Sequence, residues 1–181
     1  MKTKKKNKVI LITTTALFTA LVTVGTTVIQ IPVAGKGYTH FGDSMIYLAA
    51  CILPGPCSVF AASVGAALAD LLTGYALYAP ATFIIKALNA VPFILMRIYL
   101  KRKNKDDKIL NWQIILMLIP TTLVTMFGYM IADCILVGGE VAIISAITGG
   151  WVQPGGSAVV FVILAAALDR IGFKSKIKKQ L

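Results

Sequence analysis

The sequence predicts an all-α integral membrane protein of six transmembrane helices with both termini cytoplasmic. Three observations lead there. Hydrophobic residues make up 57% of the 181 and mean hydropathy is +0.82, while only 14% are charged; a soluble domain carries about a quarter. The charges are clumped, so long stretches hold none. Apolar runs approaching the ~20 residues that cross a bilayer alternate with basic clusters that all fall on one side.

Segment one spans 9–31. A basic start precedes it, in the manner of a signal peptide. The apolar run from Val9 to Ile31 is longer than a signal core of roughly 7–15 residues, and Val33-Ala34-Gly35 makes a poor cleavage site, so the segment reads as a retained helix. Segment two, 42–54, is short and ends at Pro54-Gly55-Pro56; it is expected to pack inside the bundle or to join segment three through a tight turn. Segments three to six span 57–73, 80–100, 110–137 and 151–172, within one domain covering 1–181. Residues 31–41, 73–79 and 138–150 link them.

The net charge of +11 invites a nucleic-acid partner, but its distribution argues against one. Sixteen of the 18 Lys and Arg lie in 1–8, 97–108 and 170–179, beside apolar segments. Such clusters set orientation by the positive-inside bias and meet anionic lipid. Six spans place all three inside, whereas five would strand one outside. The chain is therefore expected in a bacterial-type cell membrane. Cys51, Cys57 and Cys134, at unrelated spacings in or beside apolar runs, read as small core residues rather than disulfide or metal ligands. With one histidine and no G-x-S-x-G, H-E-x-x-H or Cys/His cluster, the chain is expected to be no enzyme and to need neither cofactor nor metal.

An ionisable residue at a helix centre costs roughly 2.5–3.5 kcal/mol on insertion scales, so position carries information. Asp43 opens segment two and Asp70 lies near the outer end of segment three. Lys86 is about two turns into segment four, with Asn89 a turn deeper on the same face. Tyr129 and Asp133 share the outer part of segment five, Glu140 is in the last outer loop, and Trp151 and Gln153 open segment six. All fall in the outer half, which predicts a polar pocket open outside and closed below. Each has a plainer reading. Asp70 would cap a turn, and Lys86 would pair with Asp70 or Asp133. Tyr75, Tyr78 and Trp151 would be interfacial aromatics, Asp43 a helix-start acid, His40 an exposed loop residue, and Glu140 a solvated one. Ligand contact is preferred for Lys86, because a Lys two turns deep can hardly snorkel to headgroups. Gly35 and Gly37 predict a mobile loop that sets Tyr38, His40 and Asp43 at the mouth. Small residues on segment one, Ala16 and Ala20 beside Thr15, Thr19 and Thr23, suit close helix packing or docking of another subunit, and Gly65 and Ala69 on segment three suit packing within the bundle.

"FGDSMIYLAACILPGP" followed by "GAALADLLTGYALYAPATFIIKAL" resembles the substrate-binding S components of energy-coupling factor (ECF) vitamin transporters, most closely the riboflavin-type and related B-vitamin branch. The resemblance covers roughly 10–100; the last third matches in topology. It implies a six-helix subunit that captures a vitamin from outside and docks on a membrane scaffold subunit driven by two cytoplasmic ATPases. It implies that Ala16 and Ala20 face the scaffold. It also implies that the loops 31–42 and 73–80, with Lys86, Asn89, Tyr129, Asp133 and Gln153, line the site. The turn Pro54-Gly55-Pro56-Cys57 departs from the family by lacking a longer glycine-rich continuation. The polar groups and nearby aromatics suit a small hydroxylated aromatic heterocycle: a pyridine or pyrimidine B-vitamin is preferred, with riboflavin or cobalamin as alternatives. A stand-alone secondary transporter is the competing function, and it would need polar groups along the whole path.

Overall fold

The computed structural model describes residues 2–28, 30–32, 38–148 and 150–178, without the side chains of 2–6, 31, 32, 38, 39, 141, 145 and 148. The chain is an α-helical membrane protein. Among the described residues, five helical stretches are long and apolar enough to cross a bilayer: Asn7–Thr27 of α1 (Lys2–Thr27), α3 (Gly55–Leu72), α4 (Ala79–Arg102), Trp112–Leu136 and α8 (Val152–Arg170). The fourth of these is broken at Met117 into α5 (Trp112–Leu116) and α6 (Leu118–Leu136). Pro120 explains the break, since it has no N–H for the carbonyl four residues earlier. Asn111 caps α5 by accepting from the Ile114 N–H at 2.9 Å.

The short helix α2 (Gly42–Ile52) is nearly all buried. Its 11 residues rise about 16 Å, half a bilayer core. It packs against α1, α3, α4 and α8 and forms the axis of the bundle. Protein surrounds it, so its length need not match the lipid. Asp43, at its start, meets Lys86 of α4, and Leu53, just past its end, accepts a hydrogen bond from Arg97 of α4. It thus begins about 10 Å below the start of α4, seven residues at 1.5 Å each. The preceding chain must therefore enter the bundle. It does so as a short antiparallel pair, β1 (Gln30–Pro32) and β2 (Tyr38–His40), with Gln30 opposite His40.

Gly65 lets α1 lie close on α3: a Cβ there would stand 2.7 Å from the Thr19 carbonyl oxygen. Thr23 donates to the Gly65 carbonyl at 2.9 Å across the same seam. Ala16 and Ala20 face away from it and are exposed.

The expected loop 138–150 contains a helix, α7 (Gly139–Thr148), packed on α6. Ala142, Ile143, Ile144 and Ile147 supply its apolar character, and Gly138, at φ 104°, makes the left-handed turn into it. The last element among the described residues is α9 (Phe173–Lys178). Lys174 of α9 is buried on Asp106 of the α4–α5 loop at 2.6 Å and also donates to the Lys108 carbonyl at 2.9 Å. Asp169 accepts from the Ile109 and Leu110 N–H groups at 2.7 and 2.8 Å. The basic end is thus tied together by acids that lie among the clustered lysines.

Candidate functional site

Three helices bring one charge-balanced cluster together below the hairpin. Lys86 Nζ of α4 lies 2.7 Å from Asp43 Oδ1 and 2.9 Å from Oδ2, and both residues are wholly buried. Gln153 of α8 donates to Asp43 Oδ2 at 2.9 Å. The Lys86 ammonium also stands 5.2 Å from the Tyr129 ring centroid, over the ring face. Tyr129 OH lies 3.1 Å from Thr82 Oγ1. The positions on α4 follow from helical spacing: Thr82, Lys86 and Asn89, at i, i+4 and i+7, share one face.

One turn beyond Lys86, Asn89 donates through Nδ2 to Thr125 Oγ1 at 2.9 Å, and Thr125 donates to the Thr121 carbonyl at 3.1 Å. Beneath this layer the same helices supply an aromatic floor. Tyr47 stacks on Phe93 at 4.8 Å between centroids, and Phe161 meets both rings edge-on at 5.8 and 5.6 Å. Tyr47 is four residues past Asp43, Phe93 four past Asn89 and Phe161 four past Ser157, so each ring lies a turn below a polar residue.

A second polar pair stands toward the helix ends. Tyr78 donates to Asp133 Oδ1 at 2.7 Å, and its ring lies 6.4 Å from that of Tyr75. Burial, and next the hydrogen bond to Asp133, push the Tyr78 hydroxyl pKa up. His40 is buried beside the main cluster. Its Nδ1 accepts from the Gly42 N–H at 3.1 Å, and its carbonyl accepts from Ser157 at 3.2 Å. Burial lowers the His40 pKa to about 4, despite the Asp43 charge, which acts the other way. The ring is therefore neutral near pH 7.

The residues marked in the sequence divide accordingly. Asp43, Lys86, Tyr129 and Gln153 form one cluster, with Asn89 a turn below. Tyr75, Tyr78 and Asp133 form a second group. Trp151 is exposed. The Tyr38 side chain, Gly35 and Gly37 lie outside the described residues. Two readings differ from the structure. Lys86 pairs with Asp43 rather than with Asp70 or Asp133, because α2 starts deep enough to meet it. His40 is buried rather than an exposed loop residue, because the hairpin enters the bundle. Sequence reasoning missed Thr82 and Thr125. The signal for both was spacing: Thr82 is one turn before Lys86, and Thr125 one turn before Tyr129.

A stretch of 71 residues, 39% of the chain, is 44% identical to a Pyrococcus woesei protein described only as an uncharacterised protein in the gap 3′ region, of which it covers 47%. The chain therefore spans about half the length of that relative. The family model for the S component of ECF-type riboflavin transporters matches residues 6–170, nearly the whole chain. On that match, and with its apolar helices enclosing a buried polar cluster, the chain belongs to the family of ECF-type riboflavin transporter S components.

Proposed function

We propose that the chain is the substrate-capture subunit of an ECF importer. It takes a B-vitamin from outside into the polar layer of Asp43, Lys86, Asn89, Tyr129 and Gln153, and releases it inward together with a scaffold subunit and two ATPases. Tyr38, His40, Tyr75, Tyr78, Asp133 and Trp151 are proposed to line the approach. The observation that carries this reading is the buried Lys86–Asp43–Gln153 cluster, linking three helices above an aromatic floor. Buried charge at membrane depth is costly and marks functional sites. The description of the matching family puts riboflavin first among candidate ligands; a pyridine or pyrimidine vitamin stands second, on ring size and polar-group count.

The exposed Ala16–Ala20 face of α1 is proposed to meet the scaffold. It is free of the α1–α3 seam, and small residues allow close helix approach. Mass spectrometry of ligand co-purifying with the detergent-solubilised chain tests the capture role; a flavin or another B-vitamin is expected. Uptake that persists in cells lacking the ATPases would overturn the importer reading in favour of a stand-alone transporter. Ala16→Trp with Ala20→Trp is expected to abolish scaffold co-purification while leaving ligand affinity within twofold.

A further inference from the structure

Resting on the capture reading, we propose that Arg97 is a positioning residue for the ligand site. From the far end of α2 it fixes the depth at which Asp43 meets Lys86, and the Asp106–Lys174 pair at the basic end governs how firmly it does so. Opening that pair is then a route to ligand release.

α2 fits in length between two contacts on α4. Lys86 holds Asp43, and Arg97 donates to the Leu53 carbonyl. Lys86 and Arg97 are 11 residues apart, close to three helical turns, so they share one face of α4 and stand about 16 Å apart along it. Asp43 and Leu53 are 10 residues apart, about 15 Å along α2. The two helices therefore run the same way with matched spans. Each contact also suits the helix end it meets, an acid at the start of α2 and a cation at its finish. Held at both ends, α2 cannot slide along α4 without giving up one of them.

Arg97 is itself held from the basic end. Leu53 is buried, and its carbonyl needs a donor. Arg97 Nη1 supplies one, while Ser58 Oγ reaches the same oxygen at a longer 3.4 Å. Along its other edge, Arg97 Nε faces Asp106 Oδ2 at 3.6 Å. A planar guanidinium can serve two partners in this way, which a lysine ammonium does less well. Asp106 Oδ1 accepts from Lys174 of α9 at 2.6 Å, and α9 packs on α2 as well as on α8. Contacts thus run from α9 through Asp106 and Arg97 to the end of α2.

The joints of this path differ in strength. Lys174–Asp106 and Arg97–Leu53 are hydrogen-bonded. Asp106 Oδ2 is buried without a hydrogen bond, and Arg97 stands only at ion-pair distance from it. That joint can part without breaking a hydrogen bond, so it is where the basic end can let α2 go. Asp43 would then shift against Lys86 and Gln153, and the ligand layer with it.

The test measures riboflavin release from the purified full chain in detergent, by stopped-flow fluorescence, beside each variant's melting temperature. Where another vitamin co-purifies instead, that vitamin is the probe. Arg97→Met and Lys174→Met are each expected to speed release roughly fivefold or more. Arg97→Lys, which keeps the charge but serves one partner, is expected to fall between Arg97→Met and the parent. Gly65→Ala, which loosens the α1–α3 seam, controls for lost stability: it should melt lower yet release within about twofold of the parent. Unchanged release in either Met variant overturns the inference, as does a Gly65→Ala rate as fast as theirs; both leave the capture reading intact. If Arg97→Met does not fold, Lys174→Met and Arg97→Lys decide. A parent chain that binds no riboflavin and carries no vitamin through purification sinks the capture reading, and this inference with it.

Discussion

Lys86 carries its charge two turns inside a membrane helix, and Asp43 is what makes that tolerable. The stability of such a pair is asymmetric: removing one partner leaves the other buried and unpaired. Lys86→Met is therefore expected to cost about 3–5 kcal/mol, read as a lower melting temperature in detergent. Adding Asp43→Asn should recover much of that loss, since the orphaned charge is then gone. A double variant no more stable than Lys86→Met alone would show that the pair acts through packing. His40 gives a pH prediction. Its pKa is held near 4 by burial, below the ordinary 6.5, so the unfolded chain takes up the proton first. Stability is then unaffected above about pH 6.5 and falls as pH drops from there toward 4, by roughly 3 kcal/mol in all. His40→Gln should flatten that part of the melting-temperature profile. The sequence marks Asp43, Lys86 and His40 as costly residues, but it does not say which meets which. Forty-three positions separate Lys86 from Asp43, and only the depth of α2 brings them to one level.

At the scale of elements, the seam of α1 and α3 depends on one missing side chain. An added Cβ at Gly65 would meet the Thr19 backbone oxygen at 2.7 Å and Val22 Cβ at 2.8 Å. Backbone cannot rotate away, so Gly65→Ala must separate the helices. The expected cost is about 1–3 kcal/mol, measured by thermal unfolding in detergent, while Thr23→Val should cost about 0.6. If Gly65→Ala melts with the parent, α1 is not held by this seam. The small residues were legible in the sequence as a packing surface; their division into two faces was not. Periodicity puts Thr15, Thr19 and Thr23 on one stripe and Ala16 and Ala20 beside it, without saying which stripe meets α3. The helix α7 escaped for a related reason. A short apolar segment between two glycine turns reads as a loop until a neighbour, here α6, gives its apolar face something to cover.

For the molecule as a whole, the two ends differ in chemistry. One end joins the α4–α5 loop to α8 and α9 through Asp106, Asp169 and Lys174. The other holds the hairpin and the polar layer. The positive-inside bias predicts that the first end faces the cytoplasm. Single cysteines at Asn104 and Lys178, in a chain freed of its own three cysteines, are expected to label only from inside; cysteines at Leu77 and Gly139 only from outside. Labelling of Asn104 and Lys178 from opposite faces would break the six-span arrangement. The element that arrangement leans on most is α2, whose 11 residues are entered from the hairpin and enclosed by other helices.

Apolar run length and the placement of basic clusters determined on their own that this is a helical membrane protein, and they marked the stretches that became α2 and the long helices. Both are local properties, set by the cost of burying charge and unpaired backbone in lipid. The tertiary structure alone decided that α2 is the buried axis, that Lys86 meets Asp43, and that Arg97 meets the far end of the same helix. Those facts depend on the relative depth of helices far apart in the chain, and no local pattern encodes depth.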